Sequence, residues 1–280
     1  MKLISLVPAL APGTTDPARW KVTGRRVLRS EWSKFWSLRS SWITLAVSVA
    51  VLLVFGVIAA AMYRPPAAGS ATGSADGVPA DAVALALTGT SMSGLIVGVL
   101  GVLLSAGEYG TGMVRSTYAA VPRRWLVLVS KSAVLGSLVL VLSTLGALLS
   151  FGLGKAGLHG ERIALALGDD GVLRSLFGAG IYLALFAVLG VALGSLIRST
   201  SGSIAALVGV VMLLPGLAAV LPGDVQDSLE PYFPGNAGAA IHVLHRASDS
   251  LSPGAGFVVF AGWVGLALAA AVVQLKRTDI

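Results

Sequence analysis

Cysteine is absent from the chain, so disulfides, thiolate metal sites and cysteine nucleophiles are excluded. Charge is scarce as well. Asp, Glu, Lys and Arg make up 12% of the 280 residues, where a soluble domain carries about 25%. Only three histidines occur. The balance is apolar: 55% of residues are hydrophobic and the mean hydropathy is +0.85. A soluble fold of this length must clothe its core in polar surface, and these residues cannot supply it. Lipid is the expected solvent for most of the chain.

A hydrocarbon core about 30 Å thick needs about 20 helical residues to cross it. Six stretches qualify: 42–63, 84–106, 125–153, 172–197, 203–221 and 255–275. None alternates with period two, so strands are not expected. The predicted fold is an all-α integral membrane protein with six transmembrane helices. An N-terminal interfacial amphipathic helix precedes them.

The net charge of +7 raises nucleic acid as a partner, but the cations lie in the gaps between apolar runs. With the N-terminus inside, the inner segments hold Lys2, Arg19, Lys21, Arg25, Arg26, Arg29, Lys34, Arg39, Arg115, Arg123, Arg124, Lys131, Arg198, Lys276 and Arg277, which is 15 of 20. Arg64, Lys155, Arg162, Arg174 and Arg246 fall outside. This split follows the positive-inside rule and returns the C-terminus to the cytoplasm after six crossings. The partner is the bilayer, with no nucleic acid. Fourteen Arg against six Lys, with abundant Ala and Gly, points to GC-rich coding and a bacterial plasma membrane. The first residues do not read as a signal peptide: Ser5 and Pro8 interrupt the run 3–10, and cleavage would leave the cations of 19–39 on the outer face.

Three parts are expected: a flexible cytoplasmic tail, 1–18; an amphipathic helix, 19–41; and a six-span domain, 42–280. In the helix, Leu28, Trp32 and Phe35 share one side, while Arg26, Arg29, Ser30 and Ser33 lie on the other. A basic helix with Trp on its apolar face suits the membrane–water interface. Residues 64–83 read as a flexible outer loop and 154–171 as a short polar one. Residues 222–254 form the longest outer segment, with a short helix expected over 237–246. Residues 198–202 make a tight inner hairpin. No internal repeat stands out.

Most motifs fail on inspection. Gly152, Gly154 and Gly157 match GxGxxG but end a span, where no strand precedes them. Lys155 lacks the glycine and hydroxyl that a Walker A loop needs. His242 and His245 stand one helical turn apart near several acids, but spacing dictates no third ligand; surface histidines are the expectation. No GxSxG elbow occurs, so nucleophilic catalysis has no support. The pairs Gly94/Gly98 and Gly190/Gly194 permit close helix approach, within the chain or between copies.

The spans carry no ionisable residue in their central parts; Glu108, Lys131 and Arg174 sit near ends, where long side chains reach water. Ion-driven transporters usually need such groups in the membrane. With no nucleotide loop either, energy for transport must come from a partner. Neither catalytic nor cofactor-binding nor metal residues are expected. The inner segment 107–124, GEYGTGMVRSTYAAVPRR, is too polar to cross and offers a docking surface.

Two stretches carry a resemblance. SEWSKFWSLRSSW, at 30–42, resembles the N-terminal connecting helix of bacterial ATP-binding-cassette exporter permeases of the type-two family. EYGTGMVRSTYAAVPRR, at 108–124, is similar to that family's inner loop, with Glu108, Tyr109, Thr111, Gly112, Arg115, Thr117, Pro122, Arg123 and Arg124 in the matching positions. Tyr118 departs from it, standing where an aliphatic residue is expected. FPGNAGAAI, at 233–241, and the ending KRTDI are weaker likenesses.

The resemblance implies a permease subunit of an ABC exporter that works as a homodimer or paired permease. An ABC ATPase subunit would dock on it and hold the ATP, with no cofactor on this chain. Glu108, Tyr109, Thr111, Gly112, Arg115, Thr117, Pro122, Arg123 and Arg124 would dock or couple that subunit. Arg29, Glu31, Trp32, Lys34 and Phe35 would belong to the connecting helix. Glu108 and Arg115 are the leading coupling candidates. Uncharged spans favour a hydrophobic or amphiphilic cargo. The alternatives are a non-transporting scaffold or immunity/resistance protein, and an intramembrane enzyme, whose catalytic pair the spans do not show.

Overall fold

A computed structural model describes residues 23–64, 81–121, 123–158, 163, 165–218, 220, 222–246 and 250–277. The expected tail 1–18, most of the outer loop 64–83, Pro122 and residues 278–280 lie outside them. The described residues form helices and turns without a strand. Six of the helical stretches are long and apolar enough to cross a membrane: Arg39–Met62, Ala82–Gly110, Arg124–Lys155, Val172–Ile197, Thr200–Leu217 and Pro253–Arg277. The protein is an all-α membrane protein.

The first helix, α1 (Gly24–Ser37), buries Val27, Glu31 and Phe35, spaced four residues apart on one face. This corrects the expected apolar stripe. Leu28 and Trp32 are exposed, and only Phe35 of the three points into the protein. The helix is turned so that a carboxylate, not an indole, faces inward. Leu38, in extended conformation, makes a one-residue elbow into α2 (Arg39–Met62). Trp36 and Trp42 (ring centroids 4.4 Å apart) and Phe35 and Trp42 (5.1 Å, edge-on) pack across that elbow. Large rings with polar edges suit the boundary between water and lipid.

The second span is interrupted. Asp81 Oδ1 accepts a hydrogen bond from Ala84 N at 2.7 Å and starts a short α3 (Ala82–Ala86). After a turn, α4 (Thr90–Gly110) carries the chain across. Thus Glu108 and Tyr109 end a helix; the inner segment as a loop begins only at Thr111. Gly112, with φ of 73°, makes the corner into α5 (Met113–Ala120). An L side chain rarely adopts that conformation. Helix α6 (Arg124–Gly157) then crosses, and α7 (Val172–Ile197) returns through the middle of the bundle.

Helices α4 and α7 cross at backbone distance. A side chain at Gly190 would strike the carbonyl oxygen of Gly98, and one at Gly101 that of Ala187. Ser105 and Ser195 share a hydroxyl hydrogen bond of 2.6 Å in the same seam. The glycine pairs therefore serve packing within the chain, the arrangement small residues allow where lipid supplies no hydrophobic drive.

Arg198, left-handed at φ of 61°, and Ser199 form the tight hairpin expected before α8 (Thr200–Val208). The fifth span then widens into a π-helical turn (Gly209–Leu213) before α9 (Leu214–Ala218). Pro215 explains it: proline donates no N–H and its ring collides with the carbonyl four residues back, so the preceding turn opens.

The long segment after it holds α10 (Gly223–Leu229), a 3-10 turn (Glu230–Tyr232) and α11 (Pro234–Ala240), before α12 (Pro253–Arg277). The helix expected over 237–246 lies earlier, because Pro234 sets the first helical residue. Residues 241–246 instead run as a turn against α7, where the Ile241 carbonyl lies 2.6 Å from where a Cβ at Gly178 would be. Helix α11 folds back onto α7 and α12; a Cβ at Gly256 would meet the Ala237 carbonyl at 2.5 Å.

Candidate functional site at the basic end of the bundle

The start of α1, the end of α4, α5, the start of α6 and the ends of α7 and α12 gather at one end of the bundle, where most described cations lie. Four charged side chains meet there from three helices. Lys131, on the second turn of α6, has an ammonium with three donors. It donates to Glu108 Oε1 on α4 (2.8 Å) and to the Leu104 carbonyl (3.0 Å), and forms an ion pair with Glu31 Oε2 on α1 (3.0 Å). Lys34 reaches Glu31 Oε1 (2.8 Å), Glu108 Oε1 (3.2 Å) and Thr117 Oγ1 on α5 (3.4 Å).

The four formal charges cancel. Glu31, Glu108 and Lys131 are each at least 91% buried, and only Lys34 is partly open to water. Burying one such ion alone costs several kcal/mol; a closed set of paired, hydrogen-bonded charges offsets that cost. Burial pulls the Lys34 amine down, but the hydrogen bond and charge of Glu31, then those of Glu108, outweigh it and hold it above its ordinary value.

This overturns one expectation. Lys131 and Glu108 do not reach water from a span end; both are enclosed and paired. The missed signal was Lys131 itself. A lysine two turns inside an apolar helix, with no acid nearby in sequence, calls for a partner from another element. Arg174, the third residue of that group, is exposed as expected.

A second cluster flanks the first. Tyr109 and Tyr118 hydroxyls lie 3.3 Å apart, the Arg198 guanidinium sits 5.5 Å over the Tyr109 ring, and that of Arg124 sits 5.8 Å over Tyr118. Arg198 also donates to the Gln274 carbonyl of α12 at 3.4 Å. Burial, with the Tyr109 hydrogen bond adding to it, pushes the Tyr118 phenol far up, so it stays neutral. The departure at Tyr118 therefore has a use: its hydroxyl ties α5 to the end of α4, which an aliphatic side chain cannot do.

The remaining expected residues divide cleanly. Thr111 caps the end of α4 through the Gly107 carbonyl (3.1 Å), Gly112 makes the corner, and Thr117 meets Lys34. Arg29, Arg115 and Arg123 are exposed, and Trp32 is exposed beside Trp36. Phe35 is buried. A cavity of about 210 Å³ opens between α1, α4, α5 and α6, walled by Phe35, Leu38, Leu103 and Met113 and bordered by the four charges.

The arrangement holds no nucleophile poised beside a base. What it does is mechanical: it fastens the polar helix α1 to two membrane-spanning helices and to α5. At the far end, the two histidines of the HxxH pair part company. His242 Nε2 lies 3.4 Å from Thr90 Oγ1 and its ring packs on Tyr182, whereas His245 Nδ1 lies 2.9 Å from Asp81 Oδ2. His245 is the surface histidine expected; His242 has its Nδ1 shut away from solvent. No protein-family model matches the chain, and no curated protein matches it.

Proposed function

We propose that the chain is the membrane-spanning permease subunit of an ATP-driven ABC exporter in a bacterial plasma membrane, working as a homodimer or paired permease with energy from a separate ATPase subunit. One observation carries the reading: α1, a polar element outside the spans, is joined to α4 and α6 by a neutral, buried set of four charges, and Lys34 of that set also donates to Thr117 of α5. A push on α1 is passed to the spans through ion pairs that cannot slip without exposing an unpaired charge. Arg29 on α1, Arg115 on α5 and Arg123 just before α6 lie exposed, a basic surface for an acidic partner. The basic end is then cytoplasmic, as the excess of cations there favours. ATP is bound and hydrolysed by the partner, and this chain moves an amphiphilic cargo without acting as the catalyst.

The test is purification of the tagged chain from its own membranes in mild detergent, followed by assay of ATP hydrolysis in the preparation. An ATP-hydrolysing subunit is expected to accompany it. Glu108→Gln and Arg115→Gln are expected to lower the transport-linked ATPase several-fold while membrane insertion is kept. A preparation with no ATPase would leave the scaffold or resistance reading in its place. Uphill solute movement in vesicles holding this chain alone would overturn the proposal outright.

A further inference from the structure

A second cavity, about 170 Å³, lies at the far end of the bundle, remote from the four charges. Arg174 and Arg246 line it together with Val243, Leu244 and Leu251; among the described residues, no acidic side chain does. Arg174 is anchored, its Nη2 donating to the Val243 carbonyl at 3.0 Å and to Ser175 Oγ at 3.4 Å. A guanidinium carries five donors in a rigid fork, so two such bonds fix its position without exhausting it.

Depth narrows the choice of ligand. The cavity borders Arg174, on the first turn of α7, and Pro253, the first residue of α12. Both helices begin membrane-spanning stretches there, so the cavity lies where hydrocarbon gives way to water. A bilayer carries its phosphate groups at that level. Two guanidinium groups suit the several oxygens of one phosphate, and Arg binds such groups in bidentate fashion. The aliphatic side of the cavity suits the carbon chain attached to it.

We propose that this cavity binds a phosphate group held by Arg174 and Arg246, with room against its aliphatic side for the carbon chain of a lipid. The chemistry is shared by a phospholipid of the surrounding leaflet and by a free phosphate, and the experiment separates the two sources.

The full chain in a phosphate-free, uncharged detergent is titrated with dioctanoyl phosphatidic acid, dioctanoyl glycerol, glycerol phosphate and inorganic phosphate. Binding is read by native mass spectrometry and by the unfolding midpoint. Phosphatidic acid is expected to bind and raise the midpoint, and dioctanoyl glycerol to do neither. The double variant Arg174→Gln/Arg246→Gln should weaken phosphatidic acid binding at least tenfold. Lys155→Gln, an exposed cation at the same end but outside the cavity, should leave it unchanged. Binding of the two soluble phosphates at the same arginines indicates a site open to free anions; binding of the lipid alone indicates a leaflet source. Equal binding of dioctanoyl glycerol, unchanged affinity in the double variant, or an equal loss in Lys155→Gln overturns the proposal. Should the double variant fold poorly, Arg246→Gln alone gives the same decision, since that side chain is exposed.

Discussion

At the basic end, α1 is fastened to α4 and α6 by two carboxylates and two ammonium groups that balance one another. At the far end, α11 and the turn after it are fastened to α7 and α12 by atoms lying where glycine leaves room: backbone carbonyls at Gly178 and Gly256, and the Tyr182 ring at Gly238. The first attachment depends on charge arithmetic and fails when one member is removed. The second depends on shape and fails when one methyl is added. Each end thus has its own weakness, and each weakness gives a separate experiment.

The largest effect is expected from Lys131→Met. It leaves two buried carboxylates with one cation, and breaking a buried ion set by removing one partner typically costs about 3–5 kcal/mol. Unfolding in mixed micelles measures it, and Lys131→Met combined with Glu31→Gln should recover part of the loss. A single variant as stable as the parent would show that the four charges do not fasten α1.

Next comes Gly178→Ala at the far end. The added Cβ would lie 2.6 Å from the Ile241 carbonyl oxygen, and such overpacking costs about 1–3 kcal/mol. Gly262→Ala, on a part of α12 with open space around it, is the control. It should be neutral or slightly stabilising, because alanine favours a helix over glycine by up to about 1 kcal/mol.

The ends should also fail at opposite extremes of pH. Lys34 is held above its ordinary value, so its contribution is whole below about 10.5 and is lost as pH rises through the folded value. Burial lowers the His242 imidazole to about 4. Its contribution is whole above its unfolded value, about 6.5, and is lost as pH falls from there toward 4. Stability profiles of Lys34→Met and His242→Gln should flatten the alkaline and the acid limb respectively. A profile that loses the other limb would reverse the assignment.

The smallest effect on stability, within about 0.5 kcal/mol as for most exposed sites, is expected from the single-cysteine variants Arg64→Cys and Arg115→Cys. They sharpen the comparison by fixing which end faces which compartment. In intact cells an impermeant thiol reagent should label position 64 and spare position 115. The reverse pattern would place α5 outside and remove the basis for a cytoplasmic ATPase.

Span number and order were legible because a run of about 20 apolar residues has few other uses. The ends were legible because cations cluster in the gaps. The inward face of α1 was not. Periodicity ranks Trp32 above Glu31 for burial, and only the tertiary position of Lys131 reverses that order. The start of α3 was equally hidden, since Asp81 as a cap looks like any loop acid until its hydrogen bond to Ala84 is seen. Helix α11 starts three residues before the expected 237 because Pro234 suits the first helical position.

The crossing of α4 and α7 has a consequence for motion. With the Gly98 carbonyl seated where a side chain at Gly190 would stand, and Ser105 bonded to Ser195 further along, these two spans travel as one piece. Seventy-two per cent of the most apolar stretch of α7 is enclosed by the chain, against 11% for the fifth span. On the proposed function, a tug on α1 would reach this rigid pair through Glu108. The fifth span, the least covered of the six and wound as a π-helical turn at Gly209–Leu213, is the one with fewest neighbours to hold it in place.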